Sequence, residues 1–151
     1  MNEANLHDAN LRGAQMENAN LRDTKLESAS LRLANLRGAR LTGTQLINAN
    51  LKYVDLKGAR MDGATNLRGA HFQGAALKDS DYSSVTWEQA QIDQSFGDAS
   101  VLLPDEIQRP RHWSIGKLDE NTYNKALARW RRDPEKYMRP PNLVSTSAKP
   151  Q

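Results

Sequence analysis

Side chains that catalyse reactions or bind metals are few in this sequence, and they are scattered. The chain has no cysteine, and its three histidines, His7, His71 and His112, are far apart along it. A thiolate nucleophile, a disulfide framework and a thiolate metal site are therefore excluded, and three isolated histidines predict no metal cluster. Gly116-Lys117 lacks the upstream glycine and the following Ser or Thr of a phosphate-binding loop. We predict no catalytic residue, no cofactor site and no metal site, and therefore no enzyme.

Positive charge is the chemical feature that the sequence does concentrate. Of the 151 residues, 21 are Lys or Arg and 18 are Asp or Glu, which gives a net charge of +3. Residues 1–96 carry eleven of each sign, so the whole excess lies in residues 97–151. Regularly spaced or clustered cations are typical of surfaces that bind acidic proteins, nucleic acids or anionic lipids.

The elements that position these charges are set by a repeat of five residues. Leu or Met occupies every fifth position from Leu6 to Met61. After one extra residue, the register resumes at Leu67, Phe72, Leu77, Tyr82, Trp87 and Ile92. Two residues before each of these eighteen centres stands a small side chain: twelve Ala, three Thr, two Val and one Ser. We interpret the extra residue, within Ala64-Thr65-Asn66, as a bulge at one corner rather than a recognition loop.

A spacing of five fits neither a straight helix nor a straight strand. On a helix, steps of five advance by roughly 140°, so the large residues spiral around the axis and form no stripe. On a strand, odd spacing sends successive side chains to opposite faces. A chain that turns a corner every five residues can bury all of them, and coils stacked at the usual inter-strand spacing of about 4.8 Å pair their backbones.

The polar positions of the repeat are those of tight turns. Asn, Asp and Gly suit such turns because they form local hydrogen bonds or tolerate positive φ. Asn or Asp precedes the centre at Asn5, Asn10, Asn20, Asn35, Asn50, Asp55, Asn66 and Asp81. Gly follows two residues after the centre at Gly13, Gly38, Gly43, Gly58, Gly63, Gly69 and Gly74. The sequence therefore predicts a corner in every pentapeptide.

Strings such as Ala4-Asn5-Leu6, Ala19-Asn20-Leu21-Arg22 and Ala34-Asn35-Leu36-Arg37-Gly38 resemble the A(D/N)LXX signature of the pentapeptide-repeat family. The resemblance covers residues 4 to about 94. It implies a right-handed quadrilateral β-helix with four pentapeptides in each coil, and so an all-β solenoid of about four to five coils. We assign the β-helix to residues 1–96.

The pattern changes in the C-terminal third of the chain. The five-residue register fails at Phe96-Gly97, and apolar residues separated by proline and charge follow. Tyr123, Ala126, Leu127 and Trp130 then fall at i, i+3, i+4 and i+7, which predicts an amphipathic helix over about 119–132. We expect residues 97–141 to form an irregular cap that includes this helix, and residues 142–151 to form a flexible tail. The flank after Phe96 resembles that of some bacterial pentapeptide-repeat proteins of unassigned function.

Four pentapeptides per coil would stack the basic residues in ladders. Arg12, Arg32 and Lys52 would line one face, and Arg37, Lys57 and Lys78 the next. The predicted helix adds Arg129, Arg131 and Arg132 at its end. Each group is either a solvated surface, where long side chains cover the sheet and cations favour a helix C-terminus, or a binding surface for an anionic partner. These nine residues are our candidate partner-binding residues.

We predict a non-catalytic protein-binding or scaffolding module that presents rigid β-helix faces to another protein. The alternative is a modulator of DNA gyrase or topoisomerase, because quinolone-resistance members of the family resemble duplex DNA in shape and negative charge. The neutral repeat region disfavours that alternative. Nucleic acid is not an expected partner. The N-terminal coil has no visible cap and is a candidate for self-association.

The sequence gives no sign of membrane insertion or export. No apolar run approaches the roughly 20 residues that a membrane span requires. The first five residues, Met1-Asn2-Glu3-Ala4-Asn5, do not show the basic and then apolar pattern of a signal peptide. We expect a cytoplasmic protein.

Overall fold

The computed structural model of the protein describes residues 4–134. In this part of the chain, the repeat winds into stacked coils joined by parallel bridges between single residues twenty positions apart, as from Asn5 to Lys25 and from Lys25 to Gln45. Four pentapeptides therefore form one coil. Within residues 4–134, these single-residue bridges are not extended into longer strands. The same part of the chain contains two helices, α1 (Gln89–Asp93) and α2 (Glu120–Arg132).

The four sides of each coil form four lateral faces of the stack, which we name A to D in chain order. Face A contains the bridging residues Asn5, Lys25, Gln45 and Asn66, and face B contains Asn10, Ser30, Asn50 and His71. Face C contains Gln15, Asn35, Asp55, Ala76 and Phe96, and face D contains Asn20, Arg40, Arg60, Asp81 and Leu102. Face C thus has five levels.

The large residues at the centres of the repeat fill the inside of the stack. Leu26, Leu36, Leu46 and Leu56 are 0% exposed. Toward the C-terminal end the interior becomes aromatic, where Phe72 and Tyr82 meet the Trp87 ring edge to face at centroid distances of 5.0 and 5.6 Å. Small side chains two residues before the centres, such as Ala29, are equally buried and complete this close-packed core.

Each corner is a hydrogen-bonded turn with one left-handed residue. The carbonyl of Leu6 accepts a bond from the N–H of Ala9 at 3.0 Å, and Asp8 between them has a φ of 57°. The same geometry recurs two residues after each centre through Gly58, as a type II turn requires. Of the glycines predicted to serve these turns, all adopt positive φ except Gly63, which lies in the corner enlarged by the extra residue.

The Asn and Asp residues before the centres accept a hydrogen bond from the N–H of the residue after the centre, which within residues 4–134 forms no hydrogen bond with a neighbouring coil. The side-chain oxygen of Asn35 accepts a bond from the N–H of Arg37 at 3.1 Å. All eight Asn or Asp residues predicted at this position make the equivalent bond, with the side-chain oxygen Oδ1 as acceptor. The side chain therefore satisfies a backbone donor that would otherwise rely on water.

The last coil departs from the repeat. Where face B would continue, Gln89–Asp93 forms the short helix α1, although Ile92 still enters the core and is 0% exposed. The chain then crosses the end of the stack, where Leu103 and Ile107 pack against the core. Trp113 closes this end, because it is buried and its indole N–H donates to the Ser95 carbonyl at 3.0 Å.

Helix α2 lies along face C, whereas we predicted it as part of a cap on the end of the stack. Asp119 caps its N-terminus by accepting a bond from the N–H of Thr122 at 3.0 Å. Its buried stripe, Tyr123, Leu127 and Trp130, packs on Ala76 and Phe96, which point outward from face C. The sequence predicted the helix and its apolar stripe, but not the surface that the stripe covers. Residues 135–151, including the predicted tail, lie outside the described residues.

Shortening a residue at an inward centre should destabilise the fold far more than changing an outward leucine. We expect Leu36→Ala to lower the free energy of unfolding by about 2–5 kcal/mol, because it leaves a cavity in the core. Leu33 is 47% exposed with a φ of 63°, and Asn18 and Asn48 occupy equivalent corners. Leu33→Asn should therefore leave stability unchanged within about 0.5 kcal/mol or raise it. Urea denaturation followed by circular dichroism measures both, and equal losses would contradict this assignment.

Candidate interaction surfaces

Face B carries the first predicted basic ladder, and that ladder is open to solvent. Arg12 is exposed, and Arg32 and Lys52 are half-buried in the same column. None of the three forms an ion pair with a residue between 4 and 134. The guanidinium of Arg32 lies over the Tyr53 ring at 5.6 Å. Arg12 and Lys52 are therefore the more available charges of this ladder.

Face C carries the second predicted ladder, and α2 covers most of it. Lys57 and Lys78 are only 7% and 5% exposed. The ammonium of Lys57 lies 2.9 Å from Glu120 and 3.1 Å from the Asn124 side-chain oxygen, both on α2. The ammonium of Lys78 is paired with Asp79 at 2.9 Å. The prediction that Lys57 and Lys78 present charge to a partner is therefore wrong for the described structure, because the chain's own helix occupies that position.

Glu120 is the acidic residue that holds this face together. Besides Lys57, it contacts Arg37 at 3.2 Å and Lys78 at 4.0 Å, so three rungs of the ladder converge on one carboxylate. The hydrogen bond from Lys57 lowers the pKa of Glu120, against the effect of burial, and the charges of Lys57 and Arg37 lower it further. Sequence reasoning missed this residue, because its position in the first helical turn gave no indication that α2 faces the ladder.

Tyr123 anchors the centre of α2. Its hydroxyl lies 2.9 Å from the carbonyl oxygens of both Leu77 and Phe96, on successive coils. The ammonium groups of Lys57 and Lys78 lie over its ring at 5.5 and 5.7 Å. The Tyr123 ring thus shields the two ammonium groups from water, and the cation–π contact holds α2 on face C.

The predicted basic cluster at the end of α2 is divided by the structure. Arg129 and Arg132 are exposed, but Arg131 turns onto the corner between faces B and C. Its Nε donates to the Gly74 carbonyl at 2.8 Å, and its guanidinium lies over Tyr53 at 5.7 Å. Burial lowers the pKa of Arg131. Arg131 therefore fastens the helix, and only Arg129 and Arg132 remain accessible candidates.

The first coil has an open edge. N–H groups of the second coil, such as those of Lys25 and Ser30, donate to Ala4 and Ala9 carbonyls at 2.9 Å. The N–H groups of Asn10 and Gln15, one coil earlier, donate to no residue between 4 and 134. Self-association through this edge stays a prediction.

The three histidines do not come together. His112 stacks on Trp130 at a ring distance of 5.1 Å, and burial lowers its pKa. His7 contacts Asp8 in the first coil, and His71 lies on face B. Within residues 4–134, no group of three His, Asp or Glu residues is arranged to hold a metal ion. Neither helix there is long and apolar enough to cross a membrane.

Acid should loosen α2 through Glu120. A carboxylate whose pKa is lowered by folding stabilises the folded state above its ordinary pKa, 4.5 here, and loses that contribution as the pH falls through the lowered value. Asp79, with its pKa lowered to about 2 by Lys117 and Lys78, adds an effect of the same sign below 3.8. We expect hydrogen-exchange protection of α2 amides to decrease below pH 4.5 through Glu120, in addition to the decrease below pH 6.5 that follows from the lowered pKa of His112, which stacks on Trp130.

A conservative substitution separates Glu120 from general acid effects. Glu120→Gln should lower the protection of α2 already at neutral pH and flatten its dependence below pH 4.5. The exposed Glu106→Gln should behave like the wild type. If Glu120→Gln kept the full acid dependence, Glu120 would not be the group that holds the helix.

The comparisons with known proteins agree with the repeat. The family model for pentapeptide repeats matches eight copies within residues 1–38 and 29–65. No curated protein matches the chain. Among solved structures, a pentapeptide repeat protein from Nostoc PCC 7120 is 30% identical, with 70% of this chain and 78% of that one covered and a TM-score of 0.35.

Two further solved structures are similar at lower identity or coverage. A pentapeptide repeat protein from the cyanobacterium Cyanothece 51142 is 25% identical over 67% of this chain, with a TM-score of 0.41, and the chain spans 61% of its length. QnrB1, a plasmid-mediated fluoroquinolone resistance protein, is 20% identical over 83% of this chain and 82% of that one, with a TM-score of 0.31. On the eight repeat copies and the identity to the Nostoc protein, the chain belongs to the pentapeptide repeat family.

Proposed function

We propose that the protein is a non-catalytic module that binds an acidic protein surface through face B. One observation carries the proposal: face B presents cations in a column that neither α2 nor an acidic residue neutralises. Arg12, Arg32 and Lys52 follow one another at intervals of twenty residues. In the first four coils of this face, no other outward residue is Asp, Glu, Lys or Arg; these positions include Asn10, Ser30, Asn50 and His71.

The other faces support this choice by contrast. Face D mixes Arg22, Arg40 and Arg60 with Asp23 and Asp62. Face A mixes both signs as well, with Lys25 and Glu27 in one coil and Arg68 and Glu88 in later ones. Face C is occupied by α2. Among the four faces of the described coils, face B alone therefore offers a field of one sign over its first four coils, which favours the approach of an anionic surface.

The hydrogen bonds between successive coils give face B a rigid backbone, which suits it to bind a partner of complementary shape. Its rungs are fixed by backbone bonds such as Leu11 N–H to Ser30 at 2.8 Å and Leu31 N–H to Asn50 at 2.8 Å. Binding then requires no ordering of the backbone of this face, because the residues that carry the cations already stand at fixed spacing. Their separation of about 4.8 Å along the stack suits a row of carboxylates on a partner.

The alternative, a DNA-mimic type modulator of gyrase or topoisomerase, gains no support from the charge pattern. A mimic of DNA needs an acidic surface, whereas residues 1–96 are neutral and face B is basic. A cytoplasmic location and a scaffolding role remain our predictions.

Charge reversal on face B should abolish partner binding. We expect Arg12→Glu combined with Lys52→Glu to lose the proteins that the wild type captures from cell extract, because both positions then repel an acidic surface. Arg32 is left unchanged, since its contact with Tyr53 makes it part of the packing. The matched control reverses Arg22 and Arg40 on face D and should retain capture.

The measurement is affinity capture with quantitative mass spectrometry, at low and at high salt. Captured proteins should carry acidic surfaces, and their recovery should fall as salt rises. Capture that survives reversal of face B but fails after reversal of face D would contradict the proposal. Circular dichroism of each variant verifies that the fold is kept.

A further inference from the structure

We propose that the corner between faces B and C, beside the basic ladder of face B, is the docking site of an acidic amphipathic helix on a partner protein. The inference rests on the proposed function, because it states which kind of acidic surface face B would bind. It adds an apolar contact, which the cations alone do not provide.

Two apolar residues at this corner have a backbone conformation that suits neither of them. Leu33 and Tyr53 have φ values of 63° and 59°. A bulky residue is an outlier in this left-handed region, which Gly, Asn and Asp enter more readily. The other six non-glycine residues with positive φ between residues 4 and 134 are three Asp, two Asn and one Ser. Backbone strain of this kind is typical of positions that serve a function.

Burial in the core does not explain the two residues. Leu33 is 47% exposed and Tyr53 is half-buried. They occupy the same corner of successive coils, since the N–H of Leu33 donates to the Lys52 carbonyl at 3.0 Å and that of Tyr53 to the Gln73 carbonyl at 2.8 Å. Leu33 and Tyr53 therefore form an apolar ridge along the stack, which we name the corner ridge.

A cleft continues the corner ridge toward the end of α2. It has a volume of about 310 Å³, and its walls include Tyr53, Gln73, Gly74, Trp130 and Arg131. Gly74 is the next residue at this corner, and a Cβ there would lie 2.5 Å from the Tyr53 ring, so glycine leaves the room that the ring needs. Aromatic walls beside a guanidinium suit an apolar side chain that has a carboxylate close to it.

Positive charge borders the corner ridge on the face B side. Arg32 and Lys52 directly precede Leu33 and Tyr53 in the sequence, so each level of the ridge has a cation beside it. On the face C side, the carboxylate of Asp55 is paired with Lys57 at 3.4 Å, and α2 covers the ladder. The complementary partner therefore has an apolar stripe with acidic residues along one flank, as an amphipathic helix can have.

The spacing of the corner ridge favours a helix over an extended strand. Residues three or four apart on one face of a helix are separated by about 4.5–6 Å along its axis. Successive levels of the ridge are about 4.8 Å apart, whereas residues on one face of a strand are separated by about 6.6 Å. A helix that lies along the stack can therefore place one apolar side chain on each level and another in the cleft.

The test uses a synthetic helix with this pattern, acetyl-Glu-Ala-Leu-Glu-Ala-Leu-Glu-Glu-Ala-Leu-Glu-Ala-Leu-Glu-amide, in which the leucines form one stripe and the glutamates lie along one flank. It is titrated into the full chain at low salt and followed by NMR. We expect the amides of Leu33, Tyr53 and Gly74 to shift, and those of Asn48 and Gly69, at the corner between faces A and B, to stay unchanged. Absence of these shifts would overturn the proposal.

Two control peptides separate the apolar contribution from the charge. One has Ala in place of every Leu, and the other has Gln in place of every Glu. Each lacks one of the two contacts and should bind at least about ten-fold more weakly than the first peptide. Equal affinity of either control peptide would contradict an acidic amphipathic helix as the occupant.

A variant with a matched control tests the corner ridge itself. Leu33→Asn removes the exposed apolar group and supplies a residue that suits the corner. It should weaken binding of the first peptide about four- to ten-fold, the value of burying about half of a leucine side chain, without loss of stability. Ser28→Asn changes the opposite corner of face B in the same coil, where φ is 58°, and should bind like the wild type. Unchanged affinity of Leu33→Asn would exclude the ridge from the site.

The outcomes also separate the corner ridge from face B. If Arg12→Glu with Lys52→Glu abolishes binding whereas Leu33→Asn does not weaken it, face B binds acidic surfaces without the ridge. If the double variant binds the first peptide normally whereas Leu33→Asn weakens binding, the proposed function of face B fails, and with it the acidic character of the partner. A dimer of the chain that Leu33→Asn dissociates, without peptide binding, would make a second copy the occupant and overturn the proposal.

Discussion

Pairing between coils is the constraint on which the rest of the structure depends. A coil of twenty residues directs its backbone N–H and C=O groups along the stack, and only another coil can satisfy most of them. Inward leucines such as Leu26 and Leu46 hold each coil at the distance where this pairing succeeds. Where an Asn or Asp stands before the centre, its side chain then accepts a bond from the one N–H of that pentapeptide that pairing leaves over. Stability therefore arises between neighbouring levels rather than from distant contacts.

The same regularity creates a difficulty that α2 resolves. Because positions repeat every twenty residues, cations that suit one coil come to lie beside cations of the next, as Arg37, Lys57 and Lys78 do on face C. Glu120 supplies the opposite charge to all three, and Tyr123 covers the ammonium groups with its ring. Face B has no such helix. The difference between a closed and an open face thus depends on one segment that lies outside the repeat.

The sequence predicts those features that depend on short-range spacing. The inward leucines, the corner residues and the columns of cations all follow from a period of five and a coil of four. The position of α2 does not, because its stripe of Tyr123, Leu127 and Trp130 would fit any apolar surface. The repeat places Ala76 before the centre Leu77 and so outward, but Phe96 falls where the five-residue register fails. The interruption of the parallel bridges, after Arg60 on face D and after Asn66 on face A, also escapes prediction. A single extra residue at Ala64 predicts a bulge, but whether the ladder closes again depends on Trp87 and α1 in the following coil.

The placement of the indole side chains has a practical consequence. Trp87, Trp113 and Trp130 are the three tryptophans of the chain, and all are buried in or against the last two coils. Intrinsic fluorescence therefore reports on one end of the rod only. If the N-terminal levels fray first, as their partly exposed Leu6 and Leu11 favour, the emission spectrum would stay native while ellipticity is already falling. Two transitions that do not coincide would then report a partly unfolded form, in which the N-terminal levels have frayed while the coils around the tryptophans are still folded.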